Sequence, residues 1–212
     1  MSYFAENYPT LSFPIADQEK NVRGFRDAQR GALFAVGSHF TSRLEPAIVT
    51  MPTGSGKTAV LQACAFLLQA RRVLILTPSR LVREQIAEDF AVLGVLKRIA
   101  ALPESLVAPR VTATAGRVTD AAGWKSMEEF DVVVATVPSV SSHMADVPTP
   151  PDDLFDLILV DEAHHSPAIT WQMLMADFPK ARKVLFTATP INRSCADLLR
   201  LIDILGADNL ED

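Results

Sequence analysis

Met51-Pro52-Thr53-Gly54-Ser55-Gly56-Lys57-Thr58 is the stretch that decides the fold. A short apolar run, Pro46 to Thr50, precedes it, and a helix-like run, Ala59 to Leu68, follows it. Strand, glycine-rich turn, Lys-Thr and helix form the context a phosphate-binding loop requires. Glycines let successive backbone N–H groups turn inward around phosphate oxygens. The helix that begins there aims unpaired N–H groups and its positive dipole end at the same anion. Thr53, Gly54, Ser55, Gly56, Lys57, Thr58 and Ala59 are therefore the candidate nucleotide-binding residues. Lys57 can reach the outer phosphates, and the Thr58 hydroxyl can ligate Mg²⁺. The bland alternative is a Gly/Ser turn before an ordinary helix, and the flanking elements argue against it. One departure is visible: the general pattern asks for glycine where this chain has Met51.

The bulk composition narrows the class. A chain of 212 residues makes one large or two small domains and can bury a real core. With 49% hydrophobic and 21% charged residues it reads as globular, not disordered. A net charge of −5 does not advertise nucleic-acid binding, although a local groove can be basic on an acidic protein. The two cysteines, Cys64 and Cys195, sit far apart in helix-like segments and read as reduced, buried thiols. With His164 and His165 they lack zinc-ligand spacing. The N-terminus has no signal pattern, and no apolar run reaches the ~18 residues of a membrane helix. A cytoplasmic protein with no membrane partner is expected.

Residues 1–24 are polar with scattered aromatics and read as an N-terminal arm or extension. The domain proper is expected over residues 25–212, with helical periodicity starting near Phe25. Short apolar runs then recur: Arg72 to Thr77, Arg98 to Ala101, Val111 to Thr114, Asp131 to Thr136, Leu157 to Val160 and Lys183 to Thr187. Several are apolar on both faces, as buried parallel strands are. Helix-like stretches lie between most of them. This alternation predicts one α/β domain, doubly wound, with a mostly parallel sheet covered by helices on both faces. Val147 to Pro151 reads as a stiff surface loop.

About a hundred residues after the loop, a buried strand ends in acid: Leu157-Ile158-Leu159-Val160-Asp161-Glu162-Ala163-His164. Carboxyl ends of strands face the ligand crevice of an open α/β sheet, so these acids should lie beside the phosphates. Asp161 can hold Mg²⁺ opposite Thr58. Glu162 can orient and deprotonate the attacking water. Strand-terminal acids that cap the next helix are the competing account.

Asp161-Glu162-Ala163-His164 after such a loop resembles the signature of superfamily 2 helicases and translocases. With His165 and with Phe186-Thr187-Ala188-Thr189-Pro190, it resembles the motor subunits of type I and type III restriction enzymes. The resemblance spans about Phe25 to Pro190, in the family's motif order. Met51 suits it, because the helicase-type loop often lacks the first glycine. The resemblance implies a RecA-like P-loop domain that binds ATP and Mg²⁺, with Lys57, Asp161 and Glu162 as the catalytic set. It implies that Gln29, with Arg26 nearby, reads the adenine edge. A Gln amide can both donate and accept there, and a solvated Gln on an amphipathic helix is the alternative. It further implies nucleic-acid backbone contacts from Ser79, Arg80, Thr136 and Ser139, with a helix cap by Ser79 a compatible role. His164, Thr187 and Thr189 would couple the nucleotide site to domain movement. His165 stays open between surface and supporting roles; Trp171, Met173 and Met175 read as packing residues.

Motors of this kind close two RecA-like domains around ATP, and the second supplies arginines to the transferring phosphate. After Thr189 this chain has one more helix-like stretch, 194–205, so the second domain is expected outside it, in the same parent chain. The function expected is an ATP hydrolase domain of a nucleic-acid helicase or translocase, with DNA favoured over RNA and restriction or phage defence as a setting. A protein-translocating motor and an idle scaffolding module are the rival readings. Pro151-Asp152 has no acid-x-Lys partner downstream, so no nuclease centre is expected in this chain.

Overall fold

The computed structural model describes residues 2–17, 21–143, 147–163 and 176–188. His164, His165 and Thr189 lie outside them, as do Trp171, Met173, Met175, Cys195 and the stretch 194–205.

Six parallel strands form one sheet: β1 (Ala47–Thr50), β2 (Val73–Thr77), β3 (Val111–Ala113), β4 (Val132–Thr136), β5 (Leu157–Val160) and β6 (Arg182–Thr187). Their spatial order is β1-β6-β5-β2-β4-β3. β2 is central, paired with β5 through Leu74↔Ile158 and with β4 through Leu74↔Val133. Among the described residues β1 pairs with β6 alone, Ile48 against Leu185.

Strand periodicity sorts the core into two layers. Ile75, Val134, Leu159 and Val184 belong to one cluster, and their neighbours Leu74, Val133, Ile158 and Leu185 belong to the other. Successive side chains on a strand point to opposite faces, so both faces of this sheet are buried. The first face carries α1 (Tyr3–Asn7), α2 (Asp27–Ser42), α3 (Lys57–Leu67), α4 (Arg80–Val92) and α5 (Gly94–Arg98). The second carries α6 (Ala121–Ser126), α7 (Val137–Val140) and the segment around Phe178. The doubly wound α/β expectation holds, with parallel pairing throughout the described sheet.

Two local expectations change. Residues 98–101 form no strand: Arg98 ends α5, and Ala100 sits in a left-handed turn with φ of 57°. A short apolar run does not distinguish strand from buried turn, and this one closes a helix onto the core with Leu96 and Ala101 buried. The loop at Val147–Pro151 is partly interior. Val147 is buried, and the Trp124 indole N–H donates to the Pro148 carbonyl at 3.0 Å. The N-terminal arm packs on the domain. Phe4 is buried edge-to-face against Phe66 of α3, with ring centroids 4.9 Å apart.

Candidate nucleotide site and nucleic-acid edge

The loop between β1 and α3 has the backbone that its glycines allow. Gly54 and Gly56 adopt φ of 78° and 85°, in the left-handed region. Gly56 is the N-cap of α3, so the first free N–H groups of that helix open onto the loop. Those amides and the helix dipole make an anion cradle. α3 itself is anchored by a nearly all-buried face, Ala59 to Phe66.

Two residues brace the loop from α2. The Gln29 amide nitrogen donates to the carbonyls of Ser55 and Gly56, both at 3.1 Å. Its carbonyl oxygen accepts from the Arg26 backbone N–H at 2.8 Å. The Arg26 guanidinium donates to the Gly54 carbonyl at 3.0 Å. Space is tight: a Cβ at Gly56 would fall 2.3 Å from the Gln29 amide nitrogen.

Asp161 and Glu162 leave the carboxyl end of β5. The Glu162 carboxylate accepts a charged hydrogen bond from the Lys57 ammonium, joining residues 105 positions apart. Both side chains are largely shielded, at 13% exposure for Lys57 and 23% for Glu162. β6 lies between β1 and β5, so this pair spans the end of β6, where Thr187 is fully buried and its carbonyl accepts from Met51 N–H at 2.9 Å. Glu162 has φ of 52°, a conformation that costs a non-glycine residue on the order of 1 kcal/mol or more and clusters at functional sites. Thr58 stands next to Lys57 in the first turn of α3. Hydroxyl and carboxylate oxygens are the hard donors that Mg²⁺ selects, so Thr58 and Asp161 suit that ion.

The nucleic-acid candidates occupy the other half of the same edge. Ser79 and Arg80 follow β2 and are exposed; Thr136 ends the neighbouring β4, in register with Thr77, and Ser139 follows it. Ser79 caps α4, its hydroxyl accepting from Val82 N–H at 3.3 Å. Ser139 is buried, with its hydroxyl 2.9 Å from that of Thr136, so it braces the turn more than it offers a contact. Two residues that sequence reading passed over sit here too. Arg83 is 6% exposed and its Nε has no partner among the described residues; the Thr114 hydroxyl at the end of β3 is likewise buried without one. The signal for Arg83 was its spacing with Ile86 and Phe90 on the buried face of α4.

Asp177 links two segments that flank the sheet. Its buried carboxylate accepts from the Ser142 backbone N–H at 2.9 Å and from the Ser142 hydroxyl, tying the segment after α7 to the one before β6.

Two hollows differ in their surroundings. One of about 420 Å³ abuts the loop between α2 and α5, lined by Arg26, Gln29, Gly56 and Ala59 among others. A larger one of about 1000 Å³ lies at the amino ends of the strands, beside Tyr3, Arg72, Arg110 and Asp131. The smaller one adjoins the phosphate cradle; the larger adjoins neither the loop nor the strand-terminal acids.

Solved structures of similar fold include the UvsW helicase from bacteriophage T4 (TM-score 0.61, 15% identity, 95% of this chain and 64% of that chain). The Pyrococcus furiosus Hef helicase domain matches at TM-score 0.56 and 22% identity, over 84% of this chain and 35% of that one. A hypothetical ATP-dependent RNA helicase from Sulfolobus tokodaii matches at 0.54 and 17%, over 98% and 56%. The chain thus spans less than two thirds of the length of these proteins, and at such identities the likeness is one of fold. No curated protein sequence matches it. The family described as "Type III restriction enzyme, res subunit" matches residues 23–192, which include the loop, both acids and Thr187. The chain belongs to that family, and its RecA-like fold is that of the ATP-binding domain of helicase- and translocase-type ATP hydrolases.

Proposed function

We propose that this domain binds Mg²⁺-ATP in the loop at residues 53–59 and drives movement on nucleic acid, with duplex DNA as the preferred track. The observation that carries it is the meeting of Lys57 and Glu162 over the end of β6. Loop amides and the α3 N-terminus bind the phosphates. Lys57 exchanges its Glu162 partner for the outer phosphate oxygens. Glu162, released, takes up a water and accepts its proton. Thr58 and Asp161 would hold Mg²⁺, whose charge would offset that on the phosphate oxygens. Thr187, beneath the pair, is the first described residue to feel this exchange; His164 and Thr189 extend the same coupling role.

Ser79, Arg80 and Thr136 grip backbone phosphates, which positions the strand without reading sequence. A second RecA-like domain of the same parent chain closes over the nucleotide and supplies the missing cations. A cytoplasmic restriction or phage-defence motor fits the family match.

The test is steady-state ATP hydrolysis with and without duplex DNA, single strands and RNA, in the parent protein and its Glu162→Gln variant. Duplex stimulation that drops at least ~100-fold in the variant is expected. Stimulation by RNA alone would move the track to RNA. Indifference to every nucleic acid would overturn the motor reading.

A further inference from the structure

α4 buries a positive charge that no buried carboxylate neutralises among the described residues. Arg83 lies on the face of α4 that carries Ile86 and Phe90, and it is 6% exposed. Its guanidinium donates to the carboxylate of Glu84, the next residue along, at 3.3 Å. That carboxylate is out in solvent, with the Glu84 side chain 62% exposed, so water screens the pair. The Arg83 Nε–H is sealed from water and has no acceptor among the described residues. Packing of the aliphatic stem alone is the competing account. It explains the stem and leaves the sealed donor unexplained, because a buried donor or charge without an acceptor destabilises a fold.

The topology says where an acceptor would arrive. α4 begins just past the carboxyl end of β2 and packs on β2, β3 and β4. Its first turns therefore overlie the carboxyl edge of the sheet, and Phe90 lies deeper. Val132 and Val134 of β4 share a core cluster with Ile86 and Phe90, and alternation along the strand puts Thr136 on that same face. Helical side chains tilt toward the N-terminus of their own helix, which carries the Arg83 head toward this edge. Arg83 thus stands one helical turn on from Arg80, on the sheet face that Thr136 shares. The oxygens of a phosphate match the forked donors of a guanidinium.

We infer that Arg83 is a further contact to the nucleic-acid backbone, and that the Glu84 carboxylate is a stand-in which a phosphodiester of the track displaces. Such a contact adds grip and no reading of sequence. The inference rests on the strand-contact reading of Ser79, Arg80 and Thr136 given above.

Binding of a labelled duplex by the parent protein, followed by anisotropy across a salt series, tests it. Each phosphate neutralised contributes about 0.9 to the slope of log K against log salt. Arg83→Met keeps the buried stem and removes the charge, so it should melt at or above the unaltered temperature. The same variant should lower the salt slope by about 0.9 and weaken duplex binding about five- to tenfold at low salt. Arg83→Lys should recover the slope, since either cation releases counterions. Glu84→Gln, at an exposed position, should tighten duplex binding about two- to fivefold, and most of that gain should disappear in an Arg83→Met background.

An Arg83→Met protein that melts lower with its slope unchanged returns Arg83 to packing and overturns the inference. So does a Glu84→Gln gain that is undiminished in the double variant. Stabilisation by millimolar inorganic phosphate that Arg83→Met abolishes, with the duplex slope intact, would give the site to free phosphate and overturn the track contact. Arg80→Gln keeps the two readings apart: a slope that falls there and not in Arg83→Met sinks this inference and spares the other. A folded parent protein that binds neither duplex, single strand nor RNA would bring down the strand-contact reading itself.

Discussion

Gly56 concentrates two separate demands on one residue. Its φ of 85° excludes a side chain on conformational grounds, and the Gln29 amide excludes one by contact. Gly56→Ala should therefore lose nucleotide binding and cost on the order of 1–3 kcal/mol of stability, read from a nucleotide titration and a thermal melt. An Ala variant that binds normally would show the loop to be far softer than its backbone implies. Gly54 makes the contrast: a Cβ there meets nothing within 4 Å, so Gly54→Ala carries only the conformational cost. The loop, Asp161 and Glu162 were legible in sequence because their chemistry is local and their spacing is distinctive. The bracing of the loop was not. Gln29 bonds backbone carbonyls 26 and 27 residues away, and carbonyls have no sequence signature. The left-handed backbone of Glu162 was equally invisible, since glutamate does not advertise it.

At the level of elements, α1 shows why an arm with a polar composition still belongs to the core. Ser2 caps it and donates to the Ala70 carbonyl, Tyr3 donates to the Val107 carbonyl at 2.6 Å, and Phe4 packs between them against Phe66. Phe4→Ala should lower stability by about 3–5 kcal/mol while leaving nucleotide affinity of the folded fraction unchanged. Chemical denaturation beside a binding titration separates these effects. Scattered aromatics in a polar stretch are too sparse a pattern to predict such docking, and a four-residue apolar run such as 98–101 does not distinguish a strand from the turn that closes α5. The long strands were legible, because runs such as Val73 to Thr77 are apolar on both faces and bounded by polar residues. Asp177 offers a second check on elements. Asp177→Ala strands the Ser142 N–H and hydroxyl and should cost about 1–3 kcal/mol. It should also weaken nucleic-acid stimulation more than basal ATP turnover, since the loop it holds follows Thr136 and Ser139.

Across the whole molecule, alkaline pH is a sensitive probe. Burial pushes the Cys64 thiol from 9.0 up to about 12, and burial together with Asp131 pushes the Tyr3 hydroxyl from 10.0 up to about 12. Both groups hold their protons longer folded than unfolded. Their stabilising effect is complete below pH 9 and is lost as pH rises from about 9 to 12. Melting temperature should fall through that window. Cys64 should stay unreactive toward alkylating agents at pH 8 until the chain unfolds, measurable by quenched-flow labelling in denaturant. The order of strands was the part of the whole that no pattern of residues revealed; pairing across the sheet decides it. That order has a consequence for how the protein comes into being. β1, which leads into the glycine-rich loop, is the first of the described strands to leave the ribosome, yet among the described residues it pairs only with β6, made more than a hundred residues later. Until Arg182–Thr187 emerges, the loop has no strand beside its own to hold it in place. On the proposed function, nucleotide capture would be acquired only once Thr187 is made, and a nascent chain released before Thr187 should neither retain nucleotide nor be rescued by it.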